Sequence, residues 1–200
     1  MLRIIAGRHR GRKLETAPDN SVRPTADRVR EAIFNRLTHG LVTEGGATLT
    51  GLRVLDVFAG SGALGFEAWS RGADHVTFFE NDASAAALIK RNAERLGADD
   101  AVTVLRRDAT EPGPARVGAD LLFMDAPYAT GLSVPALNAL RAQGWLRDGA
   151  IAAVEVGRGE ELAIPAGYRA IDDRRYGAAR VYFLSCVEIE GPETLSAPSE

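Results

Sequence analysis

Four consecutive residues, Asp125, Ala126, Pro127 and Tyr128, combine groups that can hold and stack a planar amine. They follow the apolar run 121–124, which has the length and composition of a buried strand. The carboxylate of Asp125 and the carbonyl of Ala126 can accept two N–H groups, while the ring of Tyr128 can stack on a flat base. Either side chain alone would be an ordinary turn or rim residue. Their combination with Pro127 at a strand end predicts a catalytic segment that binds an exocyclic amine.

A second motif precedes it, in a segment that reads Asp-Val-Phe-Ala-Gly-Ser-Gly over residues 56–62. Residues 60–65 match the pattern G-x-G-x-x-G, and Glu80 follows about twenty residues on, which is typical of a loop that binds a nucleoside cofactor. A dinucleotide would fit the pattern, but the charge of Asp56 at the preceding strand end would oppose its pyrophosphate. The same charge would attract the ammonium of a methionine moiety. Together the two motifs favour methyl transfer from S-adenosylmethionine to the exocyclic amine of a base.

The elements that must position these motifs alternate between short apolar runs and helical stretches. The runs span 52–57, 76–79, 102–105 and 121–124. Because helical patterns at 63–71 and 84–96 separate the first three, the sequence predicts an α/β fold with a doubly wound, mostly parallel sheet. Ligands of such sheets bind beyond the carboxyl ends of the strands. The acids at or just after those ends are Asp56, Glu80, Asp108 and Asp125. Their convergence favours a cationic or amine-bearing ligand.

The remaining segments divide the chain into three parts. Residues 1–24 read as a basic arm, with two short strands at 2–6 and 12–15, followed by a linker. Residues 25–187 form the main domain, and the acidic segment 188–200 is predicted to be a disordered tail. Within the domain, further elements are predicted as follows: a helix that begins after Thr25, an irregular connection at 110–119, a helix at 133–143, a strand at 150–156, and a hairpin of 168–171 with 180–187 whose turn includes 174–177.

Composition narrows the class of protein. The sequence has one cysteine and three histidines, so we expect neither an internal disulfide nor a metal site. Apolar runs are too short for a membrane span or a signal-peptide core, which favours a cytoplasmic protein. Residues 1–36 carry nine basic and four acidic side chains, whereas the remainder carries 15 basic and 23 acidic ones. A basic arm on an acidic body indicates either a polyanionic partner or simply a solvated arm.

The two motifs resemble those of class I S-adenosylmethionine-dependent methyltransferases. Segment 125–128 is similar to their (D/N)PP(Y/F) motif, and the whole arrangement resembles the RsmD family of 16S ribosomal RNA guanine-N2 methyltransferases. The N-terminal residues that carry the resemblance are Arg3-Ile4-Ile5-Ala6-Gly7, Gly11-Arg12-Lys13-Leu14, Arg23-Pro24-Thr25, Asp27-Arg28-Val29-Arg30-Glu31 and Phe34-Asn35. The similarity runs from about Leu2 to about Val187. The chain departs from the family at Ala126, where proline is usual, so its backbone there is less rigidly preorganised.

This resemblance implies a Rossmann-like sheet of seven strands with the last one antiparallel, and S-adenosylmethionine as cofactor. It implies methylation of N2 of one guanine, position 966 of 16S ribosomal RNA, as free RNA or in the small ribosomal subunit. We expect the protein to be a monomer. The predicted cofactor contacts are Asp56, Phe58, Ala59, Gly60, Ser61, Gly62, Glu80, Asn81, Asp108, Ala109 and Thr25, the last of which is equally well explained as a helix N-cap. The predicted RNA contacts are Arg8, Arg10, Arg12, Lys13, Arg174 and Arg175.

Several alternatives fit the same residues. The four-residue motif would also serve methylation of adenine N6 in DNA or of a glutamine side chain in a protein. A non-catalytic RNA-binding assembly factor could keep the fold, and a nicotinamide-dependent reductase is a more distant possibility. For Arg174 and Arg175, together with Arg180, ion pairing with Asp172 and Asp173 is an alternative to RNA contact.

Overall fold

The computed structural model describes residues 2–17, 27–38, 40 and 49–188. Several predictions fall outside these residues and are not addressed by the structure. They concern the linker at 18–24, Thr25 as helix cap or cofactor contact, and the tail from residue 189 onward.

Helices and strands alternate through most of the chain. The helices are α1 (Asp27–Thr38), α2 (Ala63–Ser70), α3 (Ala83–Leu96) and α4 (Ser133–Ala142), with a 3₁₀ turn at Asp99–Ala101. The strands are β1 (Arg53–Val57), β2 (His75–Phe79), β3 (Val102–Leu105), β4 (Ala119–Asp125), β5 (Leu146–Gly157), β6 (Tyr168–Tyr176) and β7 (Ala179–Cys186). The predicted helices and strands of the domain are all present, and the connection between β3 and β4 is irregular, as predicted.

The strands form one sheet in the order β3-β2-β1-β4-β5-β7-β6. The first five are parallel to their neighbours, whereas β7 is antiparallel to both β5 and β6. The prediction of a doubly wound, mostly parallel, seven-stranded sheet with an antiparallel last strand is therefore confirmed. Because β6 follows the direction of β5, the carboxyl ends of six strands lie along one edge, which we call the carboxyl edge.

Two hydrophobic cores lie on the two faces of this sheet. The first face packs against α1, α2 and α3, and includes the tilted ring pair Phe34–Phe123, with centroids 5.2 Å apart. The second face packs against α4 and Trp145, whose ring meets Phe79 edge-on at 4.7 Å. Since side chains alternate between faces along a strand, the first face also receives the acids that end β1 and β4.

Three element boundaries differ from the sequence prediction. The arm has one isolated antiparallel bridge, Arg3 with Lys13, instead of two regular strands. Strand β6 continues to Tyr176, so that the hairpin turn lies at 177–178 and Arg174 and Arg175 belong to the strand. Strand β5 begins at Leu146 rather than 150. In the arm, backbone groups that would extend the hairpin bond to helix side chains instead.

The N-terminal arm packs on the domain and contributes to its core. Leu2, Ile4 and Leu14 are buried in the first core. The carboxylate of Glu67 on α2 is fully buried and accepts hydrogen bonds from the backbone N–H groups of Ile5 at 2.7 Å and Ala6 at 3.0 Å. Arg71, one turn further along, donates to the same carboxylate at 2.8 Å. Glu67 thus replaces a partner strand for this part of the arm.

Replacing Glu67 with alanine should release the arm and lower the free energy of unfolding by about 3–5 kcal/mol, because two backbone donors and the Arg71 guanidinium lose their acceptor. Urea denaturation measures the loss, and trypsin cleavage within residues 3–13 measures the release. Glu94→Ala, at an exposed position of α3, is the matched control and should change both little. Equal effects of the two substitutions would contradict this role.

Candidate active site

A cavity of about 880 Å³ opens at the carboxyl edge. It brings together residues of both motifs that the sequence singled out. The predicted site residues that line it are Asp56, Phe58, Ala59, Gly60, Ser61, Glu80, Asn81, Asp125, Ala126, Pro127 and Tyr128. Further lining comes from the end of the arm at Glu15, from α1 at Val29 and from the β6–β7 turn at Ala178. The cofactor loop and the amine-binding segment therefore share one cavity.

The glycine loop is held by hydrogen bonds to the ends of β1 and β2. The N–H of Gly60 donates to Glu80 Oε2 at 2.8 Å, and the N–H of Gly65 donates to Asp56 Oδ2 at 2.8 Å. Gly62 caps α2 in a left-handed conformation, with φ of +78°. A Cβ at Gly65 would lie 2.3 Å from the ring of Phe78, so only glycine lets α2 approach the sheet so closely.

Two non-glycine residues beside the cavity have left-handed backbone conformations. Phe58, which precedes the glycine loop, has φ of +56°, and Ala129, which follows the amine-binding segment, has φ of +59°. Such conformations cost of order 1–3 kcal/mol each and persist where surrounding contacts fix them. Ala129 is fixed in part by Glu160, which accepts from its N–H. Both motifs thus carry local strain at the cavity wall.

Four carboxylates stand in a row across the sheet, on adjacent strands. In strand order they are Glu80 after β2, Asp56 in β1, Asp125 in β4 and Glu155 in β5. Asp125 and Glu155 are register partners on β4 and β5. Asp56 pairs with Phe78 on β2 and with Phe123 on β4, and these two residues lie two positions before Glu80 and Asp125, respectively. Because facing alternates along each strand, all four side chains project from the first face. We call this set the acidic row.

Asp56 is the most deeply buried member of the row, with 2% of its surface exposed. Burial raises the pKa of this carboxyl well above its usual range, and the nearby carboxylates of Asp125 and Glu80 raise the pKa further. The hydrogen bond from Gly65 acts in the opposite direction but does not offset these effects. A cation bound beside Asp56 would reverse the shift.

The amine-binding segment has a buried start and an exposed middle. Ala126 is 4% exposed, whereas Pro127 is exposed and Tyr128 is partly buried. The hydroxyl of Tyr128 donates to Glu155 Oε1 at 2.6 Å, which ties its ring to β5. The carbonyl of Pro127 accepts from the hydroxyl of Thr130 at 2.6 Å, closing the turn that follows. Asp125, Ala126 and Tyr128 all line the cavity, which is required if the first two accept the N–H groups of a planar amine and the third stacks on its ring.

Three of the predicted cofactor residues, Asp108, Ala109 and Gly62, do not line the cavity. Asp108 is exposed, and its Oδ1 accepts from the backbone N–H and the hydroxyl of Thr110, both at 2.8 Å. Ala109 is buried in the second core. Gly62 packs against Phe66 and Phe78 beneath the glycine loop and does not line the cavity. The acid that completes the row in place of Asp108 is Glu155.

Two residues of the site were missed in the sequence. Glu155 is the one acid in the apolar run 150–156, and that isolation is the available signal. Asn92, fully buried on the apolar side of α3, donates to the carbonyls of Ser61 and Glu15, both at 3.2 Å. Its Oδ1 accepts from the N–H of Glu15 at 2.8 Å. Asn92 thereby joins the arm to the glycine loop. Its partners are 77 residues away in the arm and 31 residues away in the loop, and sequence spacing does not reveal such contacts.

The basic residues Arg8, Arg10 and Arg12 of the arm lie away from the cavity. The turn at 7–11 packs against the C-terminal end of α2, where Arg8 N–H donates to the carbonyl of Ser70 at 2.7 Å and His9 stacks on Trp69 at 4.1 Å. The glycine loop is at the other end of α2, whose eight residues span about 12 Å. Arg12 donates to the last carbonyls of α3, at Leu96 and Arg95. Arg10 and Lys13 are exposed.

The basic residues of the last hairpin lie closer to the cavity, beside lining residues 176 and 178–179. Two of them form ion pairs with the neighbouring acids: Arg174 with Asp172 at 3.1 Å and Arg180 with Asp173 at 2.6 Å. Arg175 is exposed. The structure therefore shows Arg174 and Arg180 in ion pairs, which was the alternative to RNA contact.

Comparison with known proteins identifies the family. The family model described as "Conserved hypothetical protein 95" matches residues 2–185. The chain is 33% identical over 180 residues to ribosomal RNA small subunit methyltransferase D of Haemophilus influenzae, covering 88% of this chain and 89% of that protein. It is 38% identical over 154 residues to the protein of the same name from Escherichia coli strain K12, covering 77% and 74%. The chain belongs to the RsmD family.

Solved structures agree with this assignment. A Haemophilus influenzae structure described as a methylase aligns with a TM-score of 0.75 and 31% identity, over 94% of this chain and 99% of that one. An Escherichia coli structure described as a methyltransferase aligns with a TM-score of 0.79 and 32% identity, over 93% and 98%. The RsmD resemblance, the class I methyltransferase fold and the enzyme class, a methyltransferase, are thus confirmed.

Two further observations concern the described part of this RsmD-family chain. None of its helices is long and apolar enough to cross a membrane. Its described residues hold no group of three or more His, Cys, Asp or Glu side chains that could bind a metal ion.

Asp56→Asn should stabilise the protein in the absence of ligand, increasingly so at higher pH. The raised pKa means that the folded protein holds the Asp56 proton more tightly than the unfolded chain does. Wild-type stability is therefore lost as pH rises from the ordinary aspartate pKa of about 4 towards the raised folded value, and asparagine removes that loss. Urea denaturation at a series of pH values measures the difference.

Asp99→Asn, at an exposed position of the 3₁₀ turn, serves as the control. If the stability of Asp56→Asn follows the same pH dependence as wild type and this control, the Asp56 carboxyl does not carry the burial cost assigned to it.

Proposed function

We propose that this RsmD-family chain transfers a methyl group from S-adenosylmethionine to N2 of a guanine in small-subunit ribosomal RNA, at the position numbered 966. The observation that carries the proposal is the acidic row: it begins at the glycine loop and ends at the amine-binding segment, within one cavity. The relatives named ribosomal RNA small subunit methyltransferase D support RNA as the substrate. Such a substrate suits the predicted cytoplasmic location.

The cofactor half of the cavity suits a ligand with two positive charges and a ribose. S-adenosylmethionine supplies an electrophilic methyl group on its sulfonium, next to an ammonium group. Asp56 would face the ammonium, because a bound cation offsets the cost of its buried charge. Glu80 accepts from Gly60 and Asp82 through different oxygens, and the remaining lone pairs of a carboxylate can accept ribose hydroxyls. Asn81 and the residues of the glycine loop would complete this half.

The acceptor half would orient the guanine amine. The N2 lone pair is delocalised into the ring, so it must be turned towards the methyl group before it can attack. Asp125 and the carbonyl of Ala126 would accept the two N–H groups and set that orientation, with up to about 7–11 kcal/mol available from positioning. Positive charge would develop on nitrogen as the nitrogen–methyl bond forms and the methyl–sulfur bond breaks. The Asp125 carboxylate would stabilise this charge until the methylated amine releases a proton to solvent. Tyr128 would stack on the base, contributing about 1–3 kcal/mol.

The base must leave its stack to enter the cavity, which costs least in a single-stranded RNA loop. Phosphate contacts would then come from exposed cations on two sides. Arg175 lies beside the cavity, Lys13 is two residues before the lining residue Glu15, and Arg10 lies in the turn that packs at the far end of α2. Arg8 is also exposed, whereas Arg12 and Arg174 are less available, because Arg12 caps α3 and Arg174 pairs with Asp172. These assignments are proposals from placement and charge.

Methyl transfer is tested with purified protein, labelled S-adenosylmethionine and small-subunit RNA that lacks this modification, both free and as assembled particles. We expect N2-methylguanosine at one position, identified by nucleoside mass spectrometry and by mapping of RNA fragments. N6-methyladenosine in DNA or methylglutamine in protein would overturn the guanine assignment. Tight binding of S-adenosylhomocysteine without transfer to any RNA would indicate a non-catalytic assembly factor instead.

Asp125→Asn should lower the turnover rate about 10²–10³-fold, because the amide cannot stabilise the charge that develops on the amine. The affinity for S-adenosylhomocysteine should change little, as measured by calorimetry. Asp100→Asn, at an exposed position, is the matched control and should keep wild-type turnover. Full turnover of Asp125→Asn with unchanged cofactor affinity would rule out the role given to this carboxylate.

Replacing Arg10 and Lys13 together with alanine should weaken RNA binding and flatten its salt dependence. Each lost phosphate contact reduces the magnitude of the slope of log K against log salt by roughly 0.7–0.9. The slope of the double variant should therefore be smaller in magnitude than that of wild type by about 1.5. Fluorescence anisotropy at several salt concentrations measures the slope. The control pair, Arg116→Ala with Arg169→Ala, removes two exposed cations outside the arm, one before β4 and one at the start of β6. Identical slopes for both pairs and wild type would exclude an RNA contact by the arm.

A further inference from the structure

We propose that Glu155 determines the choice of guanine, by accepting a hydrogen bond from the base N1–H while Asp125 holds the neighbouring amine. This inference rests on the proposed function, and it adds the feature of the base that the site recognises. Neither the family motifs nor the sequence pattern assigned a role to this residue.

The position of Glu155 relative to Asp125 is the first ground. The two residues are register partners on the parallel strands β4 and β5, so their side chains leave the same face of the sheet side by side. Both line the cavity. Glu155 lies on the side of Asp125 away from Asp56 and the glycine loop, because the strand order is β2-β1-β4-β5. A base whose amine is at Asp125 would therefore extend towards Glu155.

The burial of Glu155 is the second ground. The residue is 6% exposed, in a strand whose neighbouring residues are apolar, and a charge in such a place is costly without hydrogen-bond donors. Tyr128 supplies one donor to Oε1 at 2.6 Å. A carboxylate has about four acceptor positions, so this bond is compatible with a second donor from a ligand. The Tyr128 bond also keeps the carboxylate beside the ring that would stack on the base.

The chemistry of purine edges is the third ground. In guanine, N1–H is adjacent to the amine at C2, so two adjacent acceptors can bind both groups. In adenine, N1 is likewise adjacent to the amine, at C6, but N1 carries a lone pair and no hydrogen. An adenine amine could reach Asp125 in a mirrored pose, but its N1 would then oppose the Glu155 carboxylate. A site built to receive an N–H donor rejects analogues that lack it by as much as about 10⁴–10⁵-fold.

A purely structural role for Glu155 must be separated from this one. In that case Glu155 would only hold the ring of Tyr128, and its loss would slow methylation of every base alike. The discriminating substrate is the target RNA loop with 2-aminopurine in place of the guanine, because this base keeps the amine at C2 but has an unprotonated N1. The quantity to measure is the ratio of kcat/KM for guanine to kcat/KM for 2-aminopurine.

We expect wild type to prefer guanine strongly and Glu155→Gln to lower that ratio at least 100-fold, because the glutamine amide can donate to the unprotonated N1. Tyr128→Phe, which removes the hydroxyl but keeps the Glu155 carboxylate, should leave the ratio within about threefold of wild type even if both rates fall. Glu155→Asp keeps a carboxylate and should keep the preference for guanine, which provides a second test if Glu155→Gln is unstable. Thermal unfolding and cofactor binding verify that each variant is folded.

An unchanged ratio in folded Glu155→Gln, with both rates lowered in parallel as in Tyr128→Phe, would overturn the inference and leave Glu155 as a support for the ring. Loss of the guanine preference in Glu155→Asp as well would also overturn it, because the charge is retained there. If wild type methylates neither RNA, the proposed function itself has failed, and that outcome is distinct from an unchanged ratio.

Discussion

Burial of a carboxylate beside others of the same charge is the constraint around which the site is built. Glu80, Asp56, Asp125 and Glu155 stand on adjacent strands, and Asp56 is almost wholly buried. Burial is the main cause that raises the pKa of Asp56, and the like charges of Asp125 and Glu80 add repulsion to it. A bound cationic donor and an amine that gains charge during reaction would both relieve that repulsion. The arrangement is unfavourable in the empty cavity and favourable at the moment when methyl transfer generates positive charge.

The same acids hold the backbone that surrounds the ligand. Glu80 and Asp56 accept from the N–H groups of Gly60 and Gly65, so the loop is fixed by the groups that would contact the cofactor. Asn92 then joins Ser61 of this loop to Glu15 of the arm. Preorganisation of this kind lowers the cost of ordering the site when ligands bind. It also explains why residues with strained backbones, such as Phe58, can persist at the cavity wall.

The sequence was sufficient to predict the elements and most of the cavity wall, because those depend on local signals. Apolar runs identified the strands, glycine spacing identified the loop, and the strand-end rule brought Asp56, Glu80 and Asp125 to one edge. Asp108 also follows a strand, but the chain turns there and its carboxylate closes a local turn with Thr110. Glu155, Glu67 and Asn92 were missed because their partners are remote in the chain. The strand register and helix packing that create those contacts cannot be read from spacing.

The docked arm has a consequence for how the chain reaches its folded state. Ile5, His9 and Glu15 bond to residues 61 to 77 positions further along, so these contacts close long loops of chain. Pairings of such sequence separation form slowly, since the entropy of closing the loop is lost before any contact is gained. During synthesis, the first fifteen residues emerge well before their partners on α2 and α3 exist. Until those helices are made, the cations of the arm remain accessible to any polyanion near the growing chain.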